Sequence, residues 1–499
     1  MKVVDSARMA EIDRQAQERF SIPQAVLMED AGLGMYAYLR DRIWGRKAPG
    51  EAVVFLVGKG NNGGDALVMA RQCRFAGLER LAIVLGAGEP EPGSLPARHL
   101  KICRELKIQV LDYSRESRKA NGLIQGARWL IDGLLGTGLT GAARSPLAEL
   151  IERANRASAT RVAVDIPSGV GDAYRQGYPA VQADYTLTVE LPKLCLYLPL
   201  ARSYCGQILV VPGVFPAQLG RSADIPGEMI TVGLKAKLLR PLPPEVHKGH
   251  RGHLAVLAGS EGTTGAAWLC ANAAARSRAG LVTVLVDREL YAGSIGKFNS
   301  VMVSPLEQNQ LDLSRFDALL IGPGWGLGEQ RERLLERLIA AGLHGVLDAD
   351  GVTLLARLRA KRKVRLGGRW ILTPHPGEFS RVAGIGTSEL LENPLAAARS
   401  AAAELQAIVV LKGHCTYVVS PDGRYGILDG MNPALATGGS GDVLAGMIAG
   451  LLTSGCDPEQ AARLAVLLHS EIGRKLYESR GYFLAEDMLP LVSLECKDI

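Results

Sequence analysis

Apolar runs of strand length alternate with stretches of helical spacing along much of this chain. In the first half the strand-like runs share β-branched and aliphatic residues, and they lie at 52–57, 81–85, 129–131, 162–164 and 185–189. Helical spacing separates most of them, as at 66–76 and 147–154. Alternation of this kind predicts an α/β fold with a parallel sheet covered by helices on both faces.

The alternation weakens after residue 213 and resumes near residue 254. Residues 216–245 carry only short apolar pieces and include Pro241-Leu242-Pro243-Pro244. Because proline interrupts both helices and central strands, this stretch is predicted to connect two domains, 1–215 and 246–499. In the second domain we expect strands at 254–257, 282–286, 318–321, 346–347, 371–372 and 408–411.

A conspicuous loop follows most of the predicted strands in the second half. The loop sequences are GSEGTTGAA, GPGWG, DADG, TPHPGE and KGHCT. In an open α/β sheet, ligands bind at the carboxyl ends of the strands, so these loops are predicted to line one cleft.

Length and composition fit a soluble globular α/β protein of two large domains or three small ones. The chain has 499 residues, 47% of them hydrophobic and 22% charged, with 58 glycines and a net charge of +6. The basic residues are scattered, so we expect no nucleic-acid partner. The eight cysteines show no zinc spacing, and the sequence has neither a signal peptide nor an apolar run of membrane length. A cytoplasmic location with no membrane association is therefore expected.

Residues 432–446 contain the pattern with the clearest chemical meaning. Gly438, Gly439 and Gly441 stand beside a single acid, Asp442, immediately before the apolar run 443–452. Glycines let a backbone approach a bulky anion, and a helix N-terminus attracts it. A carboxylate would repel phosphate, so Asp442 is predicted to take a proton from, or orient, a hydroxyl that attacks a phosphoryl group. The alternative is a glycine-rich turn whose Asp caps the helix.

The first half offers a second glycine-rich turn and two acids at strand ends. GKGNNGGD occupies 58–65, directly after a strand, and Asp132 and Asp165 each follow another strand. Either acid alone would more simply be a turn or capping residue. Together with Asn62 they offer hard oxygen ligands, which alkali and alkaline-earth cations prefer.

These motifs together resemble a known family. GKGNNGGD, DGLLGTGL and DIPSG look like the NAD(P)H-hydrate epimerase domain, which implies a Rossmann-like three-layer sandwich. GHLAVLAGS, IGPGWG, TPHPGE, KGHCT and NPALATGGSGDVLAG look like ADP/ATP-dependent NAD(P)H-hydrate dehydratase, which implies a ribokinase-like domain. Order and spacing resemble the fused bifunctional repair enzymes of bacteria over nearly the whole chain.

For the first domain, the resemblance implies interconversion of the R and S hydrates of NADH and NADPH. Asp165 is then expected to act at the hydrated ring, and a potassium ion is expected on Asn62, Asp132 and Ser168. The residues expected to hold the phosphates and ribose of the hydrate are Asn61, Asn62, Gly63, Gly64, Asp65, Gly136, Thr137, Gly138, Leu139, Thr140, Gly141 and Ala142.

For the second domain, the resemblance implies dehydration of the S hydrate with ADP or ATP and magnesium. Asp442 is expected at the reacting hydroxyl, and the other residues expected to face the hydrate are Ala266, Gly324 and His375. The residues expected to bind the nucleotide are Lys412, Gly413, His414, Cys415, Thr416 and Gly441. Hydroxide leaves poorly, so phosphorylating the ring hydroxyl before elimination is chemically reasonable.

Two other functions are compatible with parts of this sequence. A small-molecule kinase would use the same glycines and Asp442, and the first half would then be a dinucleotide-binding module. A second possibility is that the first half is a non-catalytic interaction module. Converging oxygen ligands at Asn62, Asp132, Asp165 and Ser168 favour a catalytic first half. We further expect small-molecule substrates only and a homo-oligomer.

Overall fold

The computed structural model describes residues 1–45, 50–222, 224–239, 241–307 and 311–497. It divides into two compact units, Met1–Gly227 and Glu228–Ile499. This boundary lies within the stretch 216–245 that was expected to connect two domains. That stretch contains two short helices and one short strand, at Ala217–Gly220, Gly233–Leu238 and Gly227–Met229.

The first unit contains eight strands and seven α-helices among the described residues. The strands are β1 (Lys2–Val3), β2 (Val53–Val57), β3 (Leu81–Leu85), β4 (Gln109–Asp112), β5 (Trp129–Gly133), β6 (Thr160–Val164), β7 (Tyr185–Val189) and β8 (Gln207–Val211). The helices are α1 (Ser6–Phe20), α2 (Gln24–Tyr38), α3 (Asn61–Phe75), α4 (Leu95–Glu105), α5 (Tyr113–Gly126), α6 (Leu147–Arg156) and α7 (Ala217–Gly220).

Seven of these strands form one sheet in the order β4-β3-β2-β5-β6-β7-β8, and all of its neighbouring pairs are parallel. The order is that of a doubly wound, Rossmann-like sheet, in which the strand order reverses between β2 and β5. Alternate residues of β2 enter different cores: Val53, Phe55 and Val57 pack under α1–α4, whereas Val54 and Leu56 pack under α5 and α6. The predicted parallel sheet with helices on both faces is confirmed.

The second unit contains the remaining described elements. Its strands are β9 (Gly227–Met229), β10 (His253–Leu257), β11 (Leu281–Val286), β12 (Met302–Pro305), β13 (Ala318–Ile321), β14 (His344–Leu347), β15 (Trp370–Leu372), β16 (Ile408–Leu411), β17 (Cys415–Val419) and β18 (Tyr425–Asp429). Its helices are α8 (Gly233–Leu238), α9 (Thr264–Arg276), α10 (Arg288–Ser294), α11 (Glu329–Ala340), α12 (Asp350–Lys361), α13 (Pro376–Ala383), α14 (Thr387–Glu392), α15 (Pro394–Leu405), α16 (Ser440–Thr453), α17 (Pro458–Arg480) and α18 (Ala485–Glu495).

These strands lie in one sheet in the order β9-β18-β17-β16-β15-β14-β13-β10-β11-β12. The pairs from β16 to β12 are parallel, and the pairs β16–β17 and β17–β18 are antiparallel. The strand order reverses between β10 and β13, which is where a ligand cleft is expected.

Helix α16 is held unusually close to α9 by two glycines. A Cβ on Gly446 would lie 2.2 Å from the Cys270 carbonyl oxygen, and one on Gly450 would lie 2.5 Å from the Ala274 carbonyl oxygen. Only glycine allows this approach. The middle and last turns of α16 therefore pack directly on the backbone of α9. No described helix combines the length and apolar character that a membrane span requires.

Candidate functional sites

The first candidate site lies where the loops after β2, β5 and β6 meet, at the reversal of strand order in the first unit. Helix α3 begins at Asn61, so the prediction of a helix from residue 66 was wrong at its start. A Cβ on Gly63 would lie 2.1 Å from the Gly58 carbonyl oxygen. Glycines usually oppose helix formation. At this position, however, Gly63 allows the first turn of α3 to pack directly on the loop that follows β2.

Asn62, Asp132 and Ser168 come together in this site, as their positions at strand ends predicted. The Ser168 hydroxyl donates to Asp132 Oδ1 at 2.6 Å, and the Ser168 amide donates to Asp132 Oδ2 at 2.8 Å. Asn62 donates through Nδ2 to the Leu135 carbonyl at 2.8 Å. Leu135 in turn donates its amide to Ser168 Oγ at 2.8 Å. One hydrogen-bond network therefore joins the three loops.

Two features of this network suit a monovalent cation. Oδ1 of Asn62 is buried and has no hydrogen-bond partner among the described residues, and such an orphaned oxygen is costly unless something satisfies it. Burial raises the pKa of Asp132 to about 6, although its bonds from Ser168 act in the opposite direction. No group of three or more His, Cys, Asp or Glu side chains in the described residues could hold a metal. The oxygen donors are instead an amide, a carboxylate and a hydroxyl, which fit a hard alkali ion.

Asp165 follows β6 and has a left-handed backbone with φ of 62°. Its Oδ1 accepts from Lys193 Nζ at 2.5 Å, from the Val189 amide at 3.0 Å and from Thr188 Oγ1 at 3.3 Å. Lys193 follows β7 and is buried, with its side chain 1% exposed. From the sequence a role was expected for Asp165 but none for Lys193.

The other residues expected around the hydrate lie on two segments of this site. Asp65 is in the first turns of α3, where burial and then the nearby Asp165 charge raise its pKa well above the ordinary value. Gly136 lies over Asn62, because a Cβ on it would be 3.1 Å from Asn62 Cβ. Thr137 to Ala142 continue from it as a partly exposed loop.

The second candidate site begins at the reversal between β10 and β13 in the second unit. The Gly259 amide donates to the Pro323 carbonyl at 2.8 Å, and the Thr263 hydroxyl donates to the Gly324 carbonyl at 2.8 Å. These bonds bring Gly324 next to the start of α9, where Ala266 lies. The two predicted hydrate-facing positions therefore belong to one part of the cleft.

A lysine and an acid pair at the carboxyl ends of β14 and β16. Lys412 Nζ donates to Asp348 Oδ1 at 2.8 Å, and the Thr373 hydroxyl donates to the same oxygen at 2.8 Å. Burial alone would lower the pKa of Lys412, but the Asp348 carboxylate outweighs it and the pKa is raised. A Cβ on Gly441 would lie 3.3 Å from Lys412 Nζ, so the ammonium lies beside the start of α16. The lysine predicted to attract phosphate is already paired with an acid.

Asp442 lies in the first turn of α16 rather than before the helix. Burial raises its pKa to about 7, with a further contribution from Asp348 that Lys412 partly opposes. No hydrogen bond to its carboxylate is present among the described residues. The side chain is therefore a carboxylate that can take up a proton near neutral pH.

His375 and Glu378 form a capping box at the start of α13. The His375 amide donates to Glu378 Oε2 at 2.9 Å, and His375 Nδ1 accepts from the Gly377 amide at 3.0 Å. The ring is largely exposed, with 54% of the side chain accessible. The cap ties His375 and Glu378 to the start of α13, and the exposed ring can meet a ligand.

The remaining nucleotide-binding candidates lie in the turn before β17 and in the first two residues of that strand. Gly413 and His414 are exposed, whereas Cys415 and Thr416 are buried. Thr416 Oγ1 donates to the Gly413 carbonyl at 3.0 Å, which closes the turn.

The start of α16 is also bound by a histidine of α17. A ring nitrogen of His469 lies 2.9 Å from the Ser440 carbonyl oxygen, and burial lowers the pKa of His469 to about 4. This neutral ring donates to the first residue of α16.

Lys193, Asp348 and His469 were not predicted as site residues from the sequence. The DADG loop that contains Asp348 was predicted to line the cleft, but neither of its acids was given a role. Lys193 follows a correctly predicted strand, and its position after that strand was the available signal. His469 lies inside a long helix and offered no local signal.

Together the fold and its sites define a two-unit α/β enzyme with a Rossmann-like first unit and a glycine-rich helix start, with an acid in its first turn, in the second. Two family models match: the YjeF-related protein N-terminus over residues 24–195 and NAD(P)H-hydrate dehydratase over residues 254–492. The bifunctional NAD(P)H-hydrate repair enzyme of Moorella thermoacetica is 34% identical and aligns over 98% of this chain and 95% of its own length. The Escherichia coli enzyme of the same name is 33% identical over 87% of this chain and 82% of its own.

Among solved structures, a ribokinase-like superfamily protein from Enterococcus faecalis is similar to the second unit. Its TM-score is 0.50 and its sequence identity 26%, with coverage of 54% of this chain and 95% of that chain. The chain belongs to the family of bifunctional NAD(P)H-hydrate repair enzymes. The resemblance stated from the motifs is thereby confirmed.

Proposed function

We propose that this protein repairs hydrated NADH and NADPH by two reactions, one in each unit. The first unit, through residues 1–215, interconverts the R and S hydrates. The second unit, through residues 246–499, dehydrates the S hydrate with ADP or ATP. The main support is that each family match lies within one unit, and each unit has a partly buried acid at the carboxyl edge of its sheet.

In the first site, we assign the ring chemistry to Asp165. The hydroxyl proton passes to the carboxylate, the C–O bond becomes a carbonyl, and the electron pair of the C–N bond moves to the ring nitrogen, which takes a proton from water. Closure on the other face of the carbonyl reverses each step and gives the other epimer. The carboxylate serves as the acid and base of this exchange.

We assign a potassium ion to Asn62, Asp132 and Ser168. The buried, unpartnered Oδ1 of Asn62 and the buried Asp132 carboxylate support this assignment. The cation would supply positive charge beside the phosphate-binding loop. Asn61, Gly63, Gly64, Asp65 and the loop 136–142 would hold the phosphates and ribose of the hydrate.

In the second site, the hydroxyl oxygen of the S hydrate attacks the terminal phosphoryl group, and its proton passes to Asp442. The shortened nucleotide leaves. Phosphate then departs from the ring carbon with support from the nitrogen lone pair, and loss of a proton from the neighbouring carbon restores the double bond. The amides at the start of α16 and Lys412 would stabilise phosphoryl charge, and magnesium would enter with the nucleotide phosphates.

Ala266, Gly324 and His375 would face the hydrate in this site. Gly413, His414, Cys415, Thr416 and Gly441 would contact the nucleotide. A cytoplasmic location, a homo-oligomer and the lack of nucleic-acid partners stay predictions.

The test is to incubate the purified protein with mixed R and S hydrates and follow the return of dihydronicotinamide absorbance. We expect full recovery with ADP or ATP and none without nucleotide, while the R and S forms still interconvert. A small-molecule kinase with a dinucleotide-binding module would instead consume nucleotide only with another alcohol. Recovery limited to the S fraction would contradict the epimerase assignment.

A further inference from the structure

The carboxylate of Asp165 is held through one of its two oxygens. Lys193, the Val189 amide and Thr188 all donate to Oδ1. Among the described residues, no hydrogen bond reaches Oδ2. The side chain is 18% exposed, so one oxygen is fixed and the other is left for a ligand.

Lys193 is an unusual residue to find at this position. A lysine is almost never fully buried unless it is paired, and here the side chain is 1% exposed. Its ammonium makes three contacts: Asp165 Oδ1 at 2.5 Å, the Val189 carbonyl at 2.8 Å and Thr188 Oγ1 at 3.2 Å. All three donor hydrogens are used, so the ammonium has a single defined position.

We propose that Lys193 is a positioning residue for epimerisation, which fixes Asp165 Oδ1 and thereby makes Oδ2 the oxygen that exchanges a proton with the ring hydroxyl. This inference rests on the role proposed for Asp165. Lys193 itself does not touch the substrate. Its contribution comes from the direction in which it holds the carboxylate, because small misplacements of a reacting group lower rates strongly.

A purely structural ion pair would predict a different behaviour. Such a pair stabilises the fold, and its loss lowers the amount of folded enzyme without changing turnover per folded molecule. Asp165 follows β6 and Lys193 follows β7, and the pair lies beside Asp65 and the hydrogen-bond network of Asp132. This location within the candidate site favours the role of Lys193 in positioning Asp165. Kinetics of the full chain separate the two possibilities.

The first experiment compares the wild-type chain with Lys193→Met, which keeps most of the length of the side chain and removes its ammonium group. Hydrate enriched in the R form is supplied without nucleotide, and the appearance of the S form is followed by chromatography. We expect kcat to fall by about 100-fold while KM changes little. Wild-type kcat in a folded Lys193→Met chain would overturn the proposal.

The second experiment is a double-mutant cycle with Asp165→Asn. If Lys193 acts only through Asp165, the double variant should be no slower than Asp165→Asn alone. Multiplied losses would mean that Lys193 acts independently, and the positioning role would be wrong. Wild-type epimerisation by Asp165→Asn would instead remove the proposed role of Asp165 itself, so the two failures are distinguishable.

Two further variants control for folding. Arg71→Met removes the cation of another, partly buried ion pair of the first unit, with Glu29 on α2, and should leave kcat unchanged. If Lys193→Met does not fold, Thr188→Val keeps the ion pair but removes the hydroxyl that links it. We expect kcat of this variant to fall by about fivefold, which is the scale of one hydrogen bond; an unchanged value would count against the proposal.

Discussion

The two acids assigned to chemistry, Asp165 and Asp442, lie in contrasting surroundings. Asp165 is bound by a buried lysine, a backbone amide and a hydroxyl, all through one oxygen. Asp442 receives no hydrogen bond among the described residues, and the nearest lysine, Lys412, is paired with Asp348. One acid is held in a fixed direction, and the other is partly buried and receives no hydrogen bond among the described residues.

This contrast matches the chemistry proposed for each site. Epimerisation returns each proton it removes, so the direction of the carboxylate matters most. Dehydration begins with removal of a proton from an alcohol, which needs a base with a pKa near the working pH. Burial raises the pKa of Asp442 to about 7, and Asp348 keeps the charge of Lys412 from cancelling this effect. In the first unit, a neighbouring lysine fixes the orientation of the acid. In the second unit, the neighbouring lysine is paired with another acid, so the pKa of Asp442 stays raised.

The largest expected effect comes from Asp442→Asn. This change keeps the shape of the side chain and removes the base, so dehydration should fall by about 100-fold or more, the usual scale for a general base. Nucleotide affinity, measured by calorimetry, should hold or increase slightly because a negative charge is lost near the phosphates. Epimerisation in the same preparation is the control. Equal losses of turnover and of nucleotide affinity would indicate a structural or metal-holding role.

The next effect is expected from Asp132→Ala in the first unit. Removing a carboxylate of the proposed potassium site should slow epimerisation by about 10- to 100-fold, the range seen when support for a metal site is lost. The potassium dependence of the reaction should weaken, and dehydration of the S hydrate should stay normal. Asp30→Ala, which removes an exposed carboxylate on α2 of the same unit, is a matched control. Epimerisation by the wild-type enzyme at the same rate with and without potassium would contradict the ion site.

Much of the fold could be predicted because apolar strand runs and glycine-rich turns are local signals. Strands β3, β7, β13 and β16 have the predicted bounds. The start of α3 was predicted five residues late, because Gly63 and Gly64 weaken a helix in isolation. Tertiary contact reverses this preference, since the first turn of α3 packs on Gly58 at a distance that only glycine permits.

The membership of the candidate sites was partly predictable, but their internal pairing was not. Asn62, Asp132 and Ser168 could be placed together because each lies at the carboxyl end of a parallel strand or at a helix start that follows one. The pairs Lys193–Asp165 and Lys412–Asp348 join residues 28 and 64 positions apart. No periodicity in the sequence links such positions, so only the folded structure could show which acid each lysine neutralises.

A smaller effect is expected in the pH dependence of dehydration. The pKa of Asp442 is raised to about 7, so the carboxylate is mostly protonated below that value and cannot act as a base. The dehydration rate at saturating hydrate and nucleotide should therefore rise with pH and level off above pH 7. At one pH unit below the pKa it should be about tenfold lower than its plateau. A rate that is flat from pH 5.5 to 8 would mean that another group takes the proton.

The smallest effect is expected in the free energy of unfolding, which the charged form of Asp442 should lower. The pKa of an aspartate is ordinarily 3.8, and that of Asp442 is about 7 in the folded protein, so folding disfavours the charged form. The stability associated with the neutral acid is fully present below about pH 4, and it is lost as the pH rises through 7. Asp442→Asn should therefore raise the melting temperature of the second unit at pH 8 by a few degrees, and by less at pH 5. Asp422→Asn, at an exposed turn of the same unit, serves as the control because its carboxylate is paired with Arg424. An equal gain at both pH values, or a lower melting temperature at pH 8, would show that the Asp442 charge is compensated in the folded protein.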